Sequence, residues 1–439
     1  MLRFINGYLL LPLLERLTKR DVLSKLKDIK KFEKLTYSVQ QEVQKQGLYQ
    51  ILTYCKESIP YYSNLFKELN FNPEEIKKDI NYIKKLPILT KDIVRAEGER
   101  LKAQDGRTLH ARKTGGSTGQ SVFFFYDNEG LDWSAAMNMY SHDMAGRKVY
   151  HTDLQIGADL DFGKTTFKER LRLKVRFAAQ NRQALLVSSF SENYVRENYL
   201  AFKKRRPYLI QGHPSSLYAI ADYIERNNLK RLKLCQVFEP TGEMLTPKIV
   251  ESIERNVLCR VANRYGNAEC GVMAHSLFKG NYNRLKVFER AFYVEECESS
   301  PIIVTAFTNY GFPLLRYDTG DVATVKLETD GTYIQDIQGR VHDIFLVEGK
   351  KFPTHFIMDY LDHKVKGVRE FQVVLSDEYA LPQLNVVPEN VNDKDRILAV
   401  LREQWPEGLD VNFVEFESLQ LQGWRQKFRH LVDLRSVKS

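Results

Sequence analysis

The densest grouping of residues able to do chemistry is Lys113, Thr114, Gly115, Gly116, Ser117, Thr118 and Gly119. Three glycines in so short a run let backbone N–H groups converge on an anion, and the three hydroxyls add donors without bulk. Phosphate is the natural guest of such a loop. The G-x-x-x-x-G-K-[ST] spacing of the Walker A loop is absent, and a plain strand-to-strand turn is the alternative reading. No Ser/His/Asp order and no HExxH accompany it, and the nine histidines are scattered, so hydrolase chemistry has no sequence support.

The elements around this loop must hold it against partners far along the chain. Residues 1–105 read as mainly helical: Leu48, Ile51, Leu52 and Cys55 recur at helical spacing until Pro60 interrupts, and Thr90 is placed to cap the next helix. From about 106 to 339 strands and helices alternate. Ser121–Tyr126, Tyr208–Gln211 and Leu234–Phe238 read as strands, Trp133–Tyr140 and Leu217–Ile224 as helices, and Thr246-Pro247 opens another helix. Such alternation argues for α/β architecture with a buried sheet. Residues 340–439 differ, with strand-like Phe371–Leu375 and Gln383–Val387 and a helical Asp393–Arg402, and read as a small α+β domain. The boundary is expected near Gly339-Arg340.

Composition excludes several classes. Of 439 residues, 43% are hydrophobic and 28% charged, with 25 Phe and 23 Tyr, so disorder is not the main state. The formal charge of +9 favours anionic partners. The excess gathers between Lys164 and Arg206; a solvated helical face, an anionic membrane or glycan, and nucleic acid all suit it, but no nucleic-acid recognition motif is present. Five cysteines, irregularly spaced and without CxxC, fit a reducing cytoplasm. At the N-terminus the apolar residues Tyr8–Leu14 are too few to span a bilayer, which takes about 20. With Lys19, Arg20, Lys25 and Lys27 behind them, they suit either a helix packed on the main domain or one resting on an anionic leaflet at the inner membrane face.

Several segments, in order, resemble one family. Thr114–Gly119 looks like the phosphate loop of adenylate-forming ligases, especially the phenylacetate–CoA ligase-like branch, which includes proteins encoded with capsule and exopolysaccharide pathways. Ile210–Ser216, Thr241-Gly-Glu-Met-Leu-Thr-Pro247, Tyr265-Gly-Asn-Ala-Glu269, Pro313–Asp321 and Gly339-Arg340-Val-His-Asp343 resemble further landmarks of that branch, as do Ile59–Tyr62 and Leu86–Thr90. The resemblance covers roughly residues 60–430. It implies a large N-terminal domain of stacked sheets with flanking helices, a small mobile C-terminal domain, and ATP with Mg²⁺ as cofactors.

The same resemblance assigns roles. Tyr265 and Gly266 would flank adenine, Gly242 and Glu243 would shape its loop, and Asp321 would accept the ribose hydroxyls, Asp318 being a weaker candidate. Arg340 would reach ribose or phosphate. Glu269 would hold Mg²⁺, which prefers carboxylate oxygen. Lys427 would offset charge at the reacting carboxylate and α-phosphate. Core packing for Tyr265, ion pairs for Glu269 and Arg340, and a surface position for Lys427 are the plainer alternatives. The chain departs from the family at His342, where Asp is usual, at Lys351, where some relatives carry Arg, and at Gln426, where Gly is usual. The first two departures touch the domain-rotation step and the second half-reaction, and the third bears on Lys427. Cys270, His275 and Cys297 are the candidates for the zinc site of some relatives, but the ligand spacing is missing. The expected reaction is carboxylate plus ATP to acyl-AMP and pyrophosphate, then acyl or aminoacyl transfer. The acceptor is a sugar or lipid-linked glycan, or alternatively CoA; a catalytically silent nucleotide-binding scaffold at a membrane is the third reading.

Overall fold

The computed structural model describes residues 2–113, 122–156, 166–185, 192–277, 281–340, 344–347, 350–353, 357, 360–405, 407–422 and 427–435. The glycine-rich loop Thr114–Gly119 and residues His342, Asp343 and Gln426 lie outside them.

The helix Tyr37–Ser58 buries Leu48, Ile51, Leu52 and Cys55 completely, as their spacing predicts. It stops where Pro60 cannot donate to the ladder, and Pro60 instead opens the helix Pro60–Glu68. The Thr90 hydroxyl accepts from the Ile93 amide at 3.3 Å and caps Lys91–Glu97.

Five parallel strands form the α/β layer, in spatial order Arg182–Leu185, Asp153–Ile156, Leu209–Gly212, Val237–Pro240 and Arg260–Val261. Leu154, Ile210 and Phe238 from this sheet join Leu217, Ile220 and Ile224 of helix Pro214–Arg226 and Ile253 of helix Pro247–Val257 in one apolar cluster. Parallel strands need such crossovers, and the crossovers cover the sheet's faces. The strand expected from Leu234 starts at Val237; Leu234 and Cys235 are buried before it, with the Leu234 amide on the Val257 carbonyl at 3.3 Å. A short apolar run marks burial there, not pairing.

A second, antiparallel sheet has seven strands, in the order Phe292–Val294, Cys297–Ala306, Tyr317–Glu328, Gly331–Arg340, Arg284–Val287, Gly271–Ser276 and Arg264–Asn267. Its apolar residues, among them Met273, Phe292, Tyr317 and Ile334, pack with Ile51, Tyr62, Phe124 and Trp133 in the largest core cluster. The C-terminal residues build a separate four-stranded sheet, Asp410–Phe413, Gln383–Pro388, Val368–Leu375 and Leu431–Asp433. The central pair is antiparallel and the outer pairs are parallel. Ile397 and Leu401 of helix Lys394–Gln404 join Val373, Leu384 and Val386 in its core. The fold is α/β, a large core of two sheets with flanking helices followed by a small α+β unit.

Candidate active site

A cleft of about 2730 Å³ runs between the layers and reaches Thr241–Leu245, Arg264–Glu269, Asp318, Asp321 and Phe428–His430. That is larger than the roughly 300–1,000 Å³ of a single small-ligand pocket, so it has room for more than one substrate.

Its central wall is a β-hairpin. Tyr265 and Gly266 lie on strand Arg264–Asn267, with a register shift between them, and Cys270 donates its amide to the Asn267 side chain at 2.8 Å to close the turn. Tyr265 is buried, and its hydroxyl donates to Asp321 Oδ2 at 2.8 Å. Burial, reinforced by the Asp321 charge, pushes the Tyr265 phenol well above its ordinary value, so it stays a donor. The fold thus joins two residues 56 positions apart. Asp318 instead accepts the Gly320 amide at 2.7 Å, the turn contact that its position suggests.

Glu269 follows at the hairpin's turn, buried. Its Oε1 accepts from the Tyr317 hydroxyl at 3.2 Å and stands 4.0 Å from Lys91 Nζ. Burial and the Glu269 charge raise the Tyr317 phenol far above its usual range. Lys91 is held there because Leu89 and Asp318 exchange backbone hydrogen bonds with their neighbours: Leu89 N on Arg316 O at 2.9 Å, Asp318 N on Leu89 O at 3.0 Å. Among the described residues no cluster of three or more His, Cys, Asp or Glu side chains could hold a metal. One cleft-lining carboxylate fits Mg²⁺, which keeps its waters and shares phosphate oxygens. It does not fit zinc; His275 lies 3.3 Å from buried Glu239, and its Nδ1 is on Ser276 O at 2.6 Å.

The opposite wall is the Thr241–Leu245 loop. Gly242 adopts φ +79°, which explains glycine there. Both Glu243 oxygens are engaged: Oε2 accepts the Ser215 amide at 3.0 Å at the start of helix Pro214–Arg226, and Oε1 accepts the Phe428 amide at 2.9 Å from the small domain. His213 Nδ1 lies 3.7 Å from the same Oε1 and bonds Thr241 O at 2.9 Å. Glu243 therefore ties core to small domain. Replacing it by alanine leaves two amides unpartnered, and the expected cost to docking is about 1–3 kcal/mol. Faster amide exchange at Phe428, with the core unchanged, is the expected readout; unchanged exchange would refute the tie.

Arg340 and Asp321 are directly opposite in adjacent strands, so the backbone sets that pair side by side. Lys427 sits in the short strand Lys427–Phe428, paired with Leu421–Gln422 and carried to the cleft by the Phe428–Glu243 contact. The small domain also docks through the Arg369–Asp222 ion pair, Lys248–Glu389 at 2.9 Å, and Phe416, Leu419 and Phe428 against the core helices. Lys91 and Arg264 also line the cleft, and each falls just outside a segment that carries the resemblance, so nothing in the sequence marks them as cleft residues.

No protein-family model matches the chain. Two curated proteins do. Protein CapK of Staphylococcus aureus is 25% identical over 374 residues, 82% of this chain and 81% of that protein. Indoleacetate–lysine synthetase of Pseudomonas savastanoi is 25% identical over 325 residues, 71% and 78% respectively. A solved 2-hydroxyisobutyryl-CoA ligase, in the postadenylation state with an acyl-AMP, has a similar fold, with TM-score 0.69 and 16% identity over 92% of this chain and 91% of that one. The chain is thus similar in sequence to both curated proteins and shares the fold of this acyl-AMP-bound ligase. In this chain the hairpin of Tyr265–Glu269, the Asp321 strand and the Thr241–Leu245 loop converge on one cleft, although they stand far apart in sequence.

Proposed function

We propose that the enzyme joins a carboxylic acid to AMP and then passes the acyl or aminoacyl group to an acceptor in polysaccharide (capsule, exopolysaccharide or O-antigen) biosynthesis. A carboxylate oxygen attacks the α-phosphorus of ATP, the bond to the bridging oxygen breaks, and pyrophosphate leaves. The acceptor nucleophile then attacks the acyl carbon and AMP departs. The observation that carries this reading is the Phe428 amide on Glu243, which brings the Lys427 segment to the cleft that Glu269 and Asp321 line.

In this reading Thr114, Gly115, Gly116, Ser117, Thr118 and Gly119 cradle phosphate, Tyr265, Gly266 and the Gly242-Glu243 loop border adenine, and Asp321 accepts ribose hydroxyls. Arg340 lies beside Asp321 to meet ribose or phosphate, and Lys427 supports the attack. Glu269 would hold Mg²⁺, which when bound withdraws charge from the phosphates. We take residues 340–439 as the mobile unit, whose closure shields acyl-AMP from water. The likeness to CapK, together with the resemblance to proteins encoded with capsule pathways, favours a polysaccharide role; we take the acceptor to be a sugar or lipid-linked glycan and place the enzyme in the cytoplasm, in peripheral contact with the inner membrane face. The fold shared with a CoA ligase supports the second reading, a CoA acceptor. Equilibrium dialysis with CoA separates the two, since only a CoA ligase needs a thiol site.

The test is acid-dependent exchange of labelled pyrophosphate into ATP across a panel of carboxylic and amino acids. Exchange with one acid, and a KM for ATP raised about tenfold in Asp321→Asn, is expected from loss of a charged acceptor. Tight ATP binding without exchange for any acid would sink the activation reading.

A further inference from the structure

We propose that the face made by the helical segment 2–17 and the helix Phe167–Ala179 seats on an anionic lipid bilayer, so that the catalytic cleft opens beside the headgroup layer.

The N-terminal segment is helical through Leu17, with a wider π turn at Asn6–Leu10. In a continuous α-helix, residues four apart drift by about 40° per step; the π turn takes back that drift and keeps Ile5, Leu9 and Leu13 close to one line. Leu2, Ile5, Leu9, Leu13 and Leu17 are between 42% and 71% exposed. The opposite side holds the segment to the protein. Asn6 Nδ2 donates to Asn181 Oδ1 at 3.1 Å, and Asn181 Nδ2 donates to Arg3 O at 2.9 Å. Gly7 lies so near Val149 that a Cβ would meet its carbonyl oxygen at 2.8 Å, and the Phe4 ring stacks on Tyr150 at 4.4 Å. An ordinary surface helix turns its apolar stripe to the core; this one sets Asn6 and Gly7 against the protein and leaves Leu2, Ile5, Leu9, Leu13 and Leu17 exposed.

The neighbouring helix Phe167–Ala179 extends the patch with Phe167, 82% exposed, and Leu171, 52% exposed. Across the two elements and the following turn there are nine cationic side chains, from Arg3, Arg16, Lys19 and Arg20 to Lys168, Arg170, Arg172, Lys174 and Arg176, against Glu15 and Glu169; Arg20 is paired with Asp132 of the core, which leaves eight for the face. Exposed leucines bordered by Lys and Arg match a bilayer that is apolar inside and anionic at its surface. A second copy would bring the same positive charge against itself, so charge selects the membrane. Among the described residues no helix is long and apolar enough to cross a membrane, so the contact is peripheral.

The position matters for chemistry. Leu11, Leu14, Leu17, Leu171, Arg172 and Arg176 line the same cleft as Glu269 and Asp321. An acceptor carried at the bilayer surface would meet the activated acyl group without leaving it. Only this last step rests on the acid-activation reading; the docking surface does not.

Flotation of the full chain with phosphatidylglycerol-containing vesicles, and with pure phosphatidylcholine vesicles, tests the surface. Binding to the anionic vesicles alone, weakened by added salt, is expected. Leu9→Asp/Leu13→Asp, whose residues do not line the cleft, should bind about tenfold less or weaker still, with unchanged thermal midpoint and pyrophosphate exchange. Absence of wild-type flotation, or equal flotation of the double variant, overturns the proposal. So does a wild-type dimer that the double variant converts to monomer without any vesicle binding, which makes the face a contact between copies. Failure of pyrophosphate exchange alongside salt-sensitive flotation would remove the activation reading and leave the membrane surface standing.

Discussion

Replacing Lys427 by alanine should lower acid-dependent pyrophosphate exchange by about 10²–10³-fold while ATP affinity changes by less than about threefold. The carboxylate oxygen and the α-phosphoryl group approach each other as like-charged species, so a cation is worth more in the transition state than in the ground state. Removal of such a group lowers kcat and kcat/KM together and leaves KM near its value. The location is set by the small domain: Lys427 pairs with Gln422 in a short hairpin whose Phe428 amide is held by Glu243. Lys427→Arg should recover only part of the activity, since guanidinium is broader and differently placed than an ammonium group. Full exchange in Lys427→Ala would end the assignment. A rise confined to the KM for ATP would make Lys427 a binding residue instead.

The second large effect is expected beneath the cleft. Glu239 is fully buried and receives Gln211 at 2.8 Å and Ser141 at 2.9 Å, with Arg264 at 3.2 Å and His142 at 3.3 Å. Burial pushes its carboxyl up, but Arg264, His142 and His275 outweigh that and hold it well below the ordinary carboxylate range. Burial keeps His142 below its ordinary value, which favours the neutral ring. Arg264→Met strips the main countercharge from a carboxylate that water cannot reach. Breaking a buried pair from one side costs about 3–5 kcal/mol, read here as a lower urea midpoint. Glu239→Gln in the same chain should restore at least half of the loss, because the uncompensated charge is gone. Additive losses in the double variant would refute coupling.

The pH dependence follows from the same group. A depressed Glu239 carboxyl contributes stability that is present above its unfolded value, near 4.5, and is lost as pH falls through the folded value. In Arg264→Met the depression is smaller, so the loss is complete at higher pH. Urea midpoints between pH 3 and 7 check this, and identical acid profiles would contradict it.

Local periodicity and punctuation were readable without coordinates. Leu48, Ile51, Leu52 and Cys55 fall on one helical face, and Thr246 caps the helix that begins at Pro247, accepting from the Ile249 amide at 3.3 Å. Both depend on neighbours within one or two turns, which a linear pattern records. Leu234 and Cys235 show the limit, since they are buried without belonging to the strand their apolar character suggests. Burial and pairing are separate properties, and only the partner strand decides the second.

The candidate site divides along the same line. Tyr265, Gly266, Glu269, Gly242, Glu243 and Asp321 stood out in the sequence because each sits in a compact segment whose spacing resembles a family pattern. Their couplings did not: Tyr265 to Asp321, Glu269 to Tyr317 and Lys91, and Glu243 to Phe428 cross 48 to 185 positions of chain. By itself the sequence determined the alternation of strands and helices, the ordered motifs and the +9 charge. Tertiary structure decided which carboxylate oxygens are already engaged, which lysine stands beside Glu269, and that the N-terminal leucines face outward. The physical reason is that side-chain periodicity tells which residues share a face, whereas only the packed neighbour on the other side tells whether that face is covered.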